Sequence, residues 1–305
     1  MLDKFLIEIP AWGQRCTMTL IRYALPSIRA AMAQHPADYS FLVHTDSLDE
    51  LVPHFEGLRA TFRAVPDGDD GFHKLGNCHR AAFEYAEVGE CVIPTTADIV
   101  LSRECFAAVS KRFALGKKLI VCAASRCLLQ DWEPPIDARA SILLDWTMAN
   151  WHPAIRELFW GTGTSGCPWC LYFKTDNGII MRGLHLHPFA VVKRSGLNFS
   201  GVNVDETLGE EFSTDEIHVV VSKDEMALAE LSPPERLFVL YDTPIDEKRV
   251  FKWGVEHSNR RHHWFFNHRI VIQGTDKGIS DIAPCQSILD KLRHSRVFCY
   301  GREAA

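Results

Sequence analysis

The chain has 305 residues, 47% of them hydrophobic and 24% charged, with a formal net charge of −6. This length and apolar content suffice for one large α/β domain or two smaller ones, and the acidic balance argues against a general nucleic-acid binder, which carries a basic excess to offset phosphate. No run approaches the ~20 apolar residues of a membrane span, and the opening "MLDKFLIEIPAWGQ" has neither the apolar core nor the cleavage site of a signal peptide, so a cytoplasmic chain is expected.

In chain order, "KFLIEIPAW" alternates and is rich in β-formers, which predicts a first strand ended by "PAWGQ". "CTMTLIRYALPSIRAAMAQH" has helical spacing, with Pro26 as a kink or boundary. "YSFLVHTDS" predicts a second strand ending in Thr45, Asp46 and Ser47, residues suited to a turn and a helix cap. "DELVPHFEGL" reads as a short helix, "RATFRAVP" as a third strand and "GFHKLGNCHRAAFEYAEVG" as a helix. "ECVIPTTADIVLS" reads as a buried strand and a polar loop, "RECFAAVSKRFALG" as a helix and "KKLIVCAAS" as another strand. Alternation of this kind predicts a mostly parallel central sheet with helices on both faces, whose ligands bind beyond the carboxyl ends of the strands. The useful residues are then expected at Pro10 to Gln14, Thr45 to Ser47 and Thr95 to Ser102.

Beyond Arg126 the pattern loosens into loop and helix with four tryptophans, which either fill a core or line a groove that stacks rings. "LYFKTDNGIIMRGLHLHPFAVV" predicts strands with a hairpin at Asn177-Gly178. "NFSGVNVDETLGEEF" reads as a loop with several carboxylates, and "DEIHVVVSKDEMALAEL" as a strand followed by a helix. The expected division is a main domain over 1–225 and a C-terminal helical, basic and aromatic extension over 226–305 packed on it. Ten cysteines lie mostly in apolar segments, as suits reduced thiols. Cys167 and Cys170 in "GCPWC" have redox or zinc spacing, but no second C-x-x-C exists and β-prone sequence follows, so packing cysteines are expected.

Two strand-end carboxylates are candidates for chemistry. Asp98 either binds a divalent cation on a diphosphate or caps the next helix. Asp46 either accepts hydrogen bonds from a ribose or base or serves as a turn residue. In "RGLHLHPFAVV" an extended strand would put His185 and His187 on one face, as metal or phosphate ligands or as the polar side of a half-buried strand.

Taken in order, "IEIPAWGQRCTMTLIRYALPSIRAA", "FLVHTDS", "TTADIVLS" with "GKKLIVCAASR", and "RGLHLHPFAVV" with "GVNVDETL" resemble the nucleotide-diphospho-sugar transferases, glycosyltransferases of the GT-A fold, over about residues 5 to 210. The resemblance implies a Rossmann-like GT-A sheet with a smaller antiparallel hairpin, and a nucleotide-sugar donor beside Pro10, Ala11 and Trp12, with Asp46 near its base or ribose. It implies a divalent cation, manganese or magnesium, on Asp98, with His185 or His187 completing the shell. It also puts Asp205 or Glu206 in the acceptor region, where inverting members keep a general base. The chain departs from the family where its first metal carboxylate would stand, which here is Thr96. A metal-independent route would need cationic side chains on the leaving diphosphate, for which His73, Lys74, His79, Arg80 and Arg126 are candidates.

The expected activity is sugar transfer, by inversion, from a nucleotide-sugar to a hydroxyl on a glycan, a lipid-linked or a small-molecule acceptor. The alternative is a non-catalytic nucleotide- or sugar-binding protein that retains the fold, which Thr96 favours. A metal-dependent hydrolase ranks last, because no H-x-x-x-H helix motif occurs. "KWGVEHSNRRHHWFFNHRIVIQG" either docks on an anionic membrane surface or a lipid-diphosphate acceptor, or packs on the domain as an amphipathic helix.

Overall fold

The computed structural model describes residues 4–129, 133–197, 199, 202–235, 239–275, 283–295, 298–299 and 302–303. Strand β1 (Lys4–Ala11) leads into α1 (Gly13–Thr19), which passes through a π-helical turn (Leu20–Ala24) into α2 (Leu25–Gln34). Pro26 stands in the first turn of α2, where its missing N–H breaks the regular ladder and the preceding turn widens. Next come β2 (Asp38–Thr45), α3 (Leu48–Leu51) with a 3-10 turn, β3 (Ala60–Arg63), α4 (Gly71–Tyr85) and β4 (Cys91–Pro94). After these come β5 (Ile99–Leu101), α5 (Cys105–Ala114), β6 (Leu119–Cys122) and β7 (Ala124–Leu128). The strand–helix alternation expected up to Arg126 is therefore present, with one addition. The segment after Asp98, read as loop, resumes as β5.

The rest comprises α6 (Ala140–Ala149), α7 (Pro153–Arg156), the hairpin β8 (Cys170–Thr175) and β9 (Gly178–Gly183), β10 (His187–Val192) and α8 (Val204–Thr207). It ends with β11 (Ile217–Val219), β12 (Leu228–Ser232), α9 (Glu247–His257), α10 (Arg260–Phe266), β13 (Ile270–Gly274) and α11 (Ala283–His294). Two short paired strands at Phe298–Cys299 and Arg302–Glu303 follow. "MALAEL" was expected to be helical and forms β12. It pairs with β5 and β7, and pairing within a buried sheet overrides the helix preference of Met, Ala, Leu and Glu. Of the carboxylate-rich loop, 204–207 is a helical turn, and residues 198, 200 and 201 lie outside the described residues. Beyond 226 the chain is not only helical, since β12 joins β5 and β7, and β13 joins β9.

The seven-stranded sheet runs β11-β6-β10-β4-β1-β2-β3. Its strands are parallel except β10, which is antiparallel to both β4 and β6. This reversal places the first residue of β10, His187, opposite Cys122, the last residue of β6, so an antiparallel strand delivers its start to the edge where parallel strands end. Both faces are covered. Phe5, Ile7 and Ile9 pack with Leu20, Ile28, Phe106 and Val109 from α2, α5 and the π turn, whereas Leu6, Leu42 and Val92 pack with Ala82 and Phe83 of α4 and Phe265 of α10. A sheet with no solvent face leaves no outward side for Glu8, which is wholly buried in the middle of β1.

Helix α4 also approaches the segment that leads into α8. A Cβ on Gly76 would collide with the carbonyl oxygen of Val202, so glycine is what lets α4 and this segment touch. Gly76→Ala is expected to destabilise the fold by about 1–3 kcal/mol through overpacking, read as a lower urea midpoint. An unchanged midpoint would mean that the segment yields freely.

Candidate functional site

Two cavities meet at the carboxyl edge of the parallel strands. The outer one, about 520 Å³, is lined by Pro10, Trp12, Cys16, Asp70, Phe72 and Thr96 among others, and the inner one, about 320 Å³, by Asp98, Arg126, Trp169, His185, His187, Asp205 and Glu230 among others. Phe72, Leu75, Thr96 and Asp98 line both, so the two form one cleft with Asp98 at the junction. Phe72, in the first turn of α4, is 68% exposed and offers a free aromatic face there.

Asp98 follows β4 in a tight turn. Its carboxylate accepts the Thr96 hydroxyl, and its backbone carbonyl accepts the Leu231 N–H of β12. Thr96, two residues before it, thus holds the Asp98 carboxylate in place. Burial, with Glu230 repelling its charge, pushes the Asp98 carboxyl up to about 6, against the opposing pull of the Thr96 hydrogen bond and Arg126. Ionised Asp98 is therefore a cost to the fold, and its effect on stability falls from none to full penalty as pH rises from 3.8 through about 6. Asp98→Asn is expected to raise the thermal midpoint at about pH 7.5 and to change it little at about pH 4. Equal effects at both pH values would refute this.

His187 and Asp205 face one another inside. His187 Nε2–H donates to the Pro94 carbonyl at 3.0 Å, which leaves Nδ1 toward Asp205 Oδ1 at 3.7 Å. Burial presses the His187 pKa down, but the Asp205 carboxylate and the Pro94 carbonyl outweigh it and hold it above its ordinary value. Asp205 Oδ1 is buried with no hydrogen-bond partner among the described residues. The Asp205 backbone is fixed from α10. His262 accepts the Asn259 N–H on Nδ1, which sets its tautomer, and Nε2–H then donates to the Asp205 carbonyl at 2.8 Å. The side chain of Asn259 donates to the Glu206 carbonyl at 2.8 Å.

His185 lines the same cavity but sits in the turn before β10 rather than on it, so only His187 belongs to the strand. Its ring stacks on His262, with centroids 4.1 Å apart, and its Nε2–H donates to the His257 carbonyl. Burial lowers its pKa. Both histidines nevertheless share a cavity with Asp98. Their donor types suit a hard or borderline cation, but Asp98, His185 and His187 are not a set whose ligand atoms all lie within 4.8 Å of one another. Among the described residues, that set is Glu8, His44 and Cys78.

Other expected residues lie elsewhere. Asp46 is exposed and accepts the Gly13 N–H through both carboxylate oxygens, at 3.0 and 3.2 Å, bracing the turn from β1 to α1 where Gly13 has φ +73°. Ala11 is buried in the core, and Lys74 lines neither cavity. Glu206 lines neither, and its carboxylate accepts the Val202 N–H at 2.7 Å. Burial raises its pKa. Cys167 and Cys170 are free thiols, and burial pushes the latter up to about 12. The basic and aromatic C-terminal segment turns its rings inward, with His262, His263, Phe265 and Phe266 buried. No described helix is long and apolar enough to cross a membrane. Sequence reasoning missed Glu230, which pairs with Arg126 at 2.7 Å in the inner cavity, because its segment reads as helix.

The sequence matches no protein-family profile and no curated protein. Among solved structures, the chain is similar to S. aureus TarS 1-349 in complex with UDP-GlcNAc, with a TM-score of 0.46 and 11% identity over 95% of this chain and 71% of that one. TarS 1-349 in complex with UDP gives 0.38 at 10% identity, over 95% and 70% of the two chains. A putative glucose-1-phosphate thymidylyltransferase from Bacillus anthracis gives 0.29 at 15% identity, over 43% and 62%. Likeness of this degree assigns the chain to no family, and its function has to be argued from its own cleft.

Proposed function

We propose that the chain is a glycosyltransferase that moves a sugar from a nucleotide-diphosphate donor to an acceptor hydroxyl with inversion. The observation that carries this reading is the single cleft, in which an apolar outer groove at Pro10, Trp12 and Phe72 meets an acidic inner cavity at Asp98. A nucleoside ring suits the outer groove, and hydroxyl-rich sugar suits a cavity lined by carboxylates, imidazoles and Trp169. Asp98, at the junction, then lies beside the diphosphate. Asp205, whose Oδ1 has no donor on it, takes the proton of the acceptor hydroxyl.

Three carboxylates, Asp98, Asp205 and Glu230, face one guanidinium, Arg126, in the inner lining. A diphosphate entering that field needs added positive charge. The carboxylate oxygen of Asp98 and the imidazole of His187 are the donors that would hold a manganese or magnesium ion, which would neutralise the leaving diphosphate when bound. Calorimetric titration with UDP-, GDP- and CDP-linked sugars is expected to show binding of at least one donor, tighter with manganese, and slow donor hydrolysis without acceptor. Failure to bind every one of them sinks the proposal. Thr96, standing where the resemblance expects another metal carboxylate, favours the second reading, a binding protein without turnover, for which the signature is donor binding that survives in Asp98→Ala with no transfer or hydrolysis.

A further inference from the structure

Glu8 is 0% exposed and lies between His44 and His79, each 1% exposed. His79 Nδ1 is 2.6 Å from one carboxylate oxygen and His44 Nδ1 is 3.2 Å from the other. Strand register explains the meeting. Glu8 pairs with Leu42 and Pro10 with His44, so Glu8 and His44 sit two residues apart on the same sheet face, and α4 lays Cys78 and His79 over that face. The donor atoms of Glu8, His44 and Cys78 all lie within 4.8 Å of one another.

We propose that Glu8, His44 and Cys78 form a buried binding site for a borderline divalent cation, zinc first, with His79 fixing the carboxylate from behind. Thiolate and imidazole select zinc or cobalt over the magnesium or manganese that oxygen donors prefer. The 3.2 Å from His44 Nδ1 to Glu8 Oε1 exceeds the ~2.7–2.9 Å of a charge-assisted hydrogen bond but matches the roughly 3.3 Å between two ligands on a tetrahedral zinc. His44 Nδ1 faces Glu8 Oε1, and Nε2 makes no hydrogen bond among the described residues, so the ring proton moves to Nε2 when Nδ1 takes the ion. His79 also lines the inner cavity. Binding replaces the Cys78 thiol proton, forms the metal–sulfur bond and releases that proton to solvent, with no change in oxidation state.

The test is cobalt titration of the full chain after chelator treatment. The expected result is about one equivalent bound with tetrahedral ligand-field bands and a thiolate-to-cobalt charge-transfer band, bleached by zinc and not by excess magnesium. The charge-transfer band should vanish in Cys78→Ser and persist in Cys105→Ser, a buried cysteine on the opposite face. If Cys78→Ser fails to fold by circular dichroism, X-ray absorption of the zinc-loaded parent decides, with one sulfur among nitrogen and oxygen ligands expected. No thiolate band in the parent, a band that survives Cys78→Ser, or a zinc shell without sulfur would overturn the site.

Discussion

Asp205→Asn is expected to lower the turnover of sugar transfer by about 10²–10⁴-fold while leaving donor affinity within a few fold. The amide keeps the shape of the side chain and cannot take a proton. The backbone stays where it is, because the bonds that hold it come from His262 and Asn259 to main-chain carbonyls. Glu206→Gln, one residue on, should cost little turnover, since that carboxylate serves the Val202 N–H and lines neither cavity. The pair of variants separates a proton acceptor from a local brace. Steady-state rates with the donor found by titration, together with calorimetric affinities, are the measurement. Parental turnover in Asp205→Asn would move the base elsewhere, with Asp98 the next to examine because its carboxyl titrates close to neutrality.

The second large effect concerns stability. His79→Leu should destabilise the chain by about 3–5 kcal/mol, because it takes one of two imidazole partners from a carboxylate with no access to water. The double variant Glu8→Met with His79→Leu should recover part of that loss, since it removes the unmatched carboxylate but leaves the buried His44 Nδ1 without its acceptor. Urea unfolding in the presence of a chelator reads both. A single variant that unfolds with the parent would show that water or a backbone shift reaches Glu8, and no recovery in the double would show that the imidazole matters for packing rather than charge.

The sheet and the order of its elements up to Arg126 were legible because parallel strands buried on both faces are short apolar runs, and the helices between them keep a period near 3.6. Asp98 was a candidate for a related reason, since strand ends face a cleft, and one antiparallel strand brings His187 to that same edge. Asp205 came only from the family resemblance and lies in a helical turn on the same cavity. Glu8 was hidden by its own pattern. "FLIEIP" suggests a polar side, and only the presence of α4 on that side makes the carboxylate buried. A signal was there, in a single acid inside an otherwise apolar central strand. Glu230 was missed with β12, whose residues favour helix until β5 and β7 pair with them. Of the two readings left open for Asp46, the turn residue is the one with a contact to show, since its carboxylate braces Gly13.

The hold of α10 on Asp205 has a consequence for synthesis. The inner cavity draws Asp98 from early in the chain, Glu230 from β12 and the placement of Asp205 from Asn259 and His262. While the ribosome is still making α9, the segments that carry Asp98 and His187 have already emerged, yet the bonds from Asn259 and His262 to the 205–206 backbone have not formed. Contacts this distant in sequence form late, because loop closure precedes their reward. A nascent chain released before about residue 266 would therefore present the cleft half built, and the proposed turnover should appear only once α10 has been made.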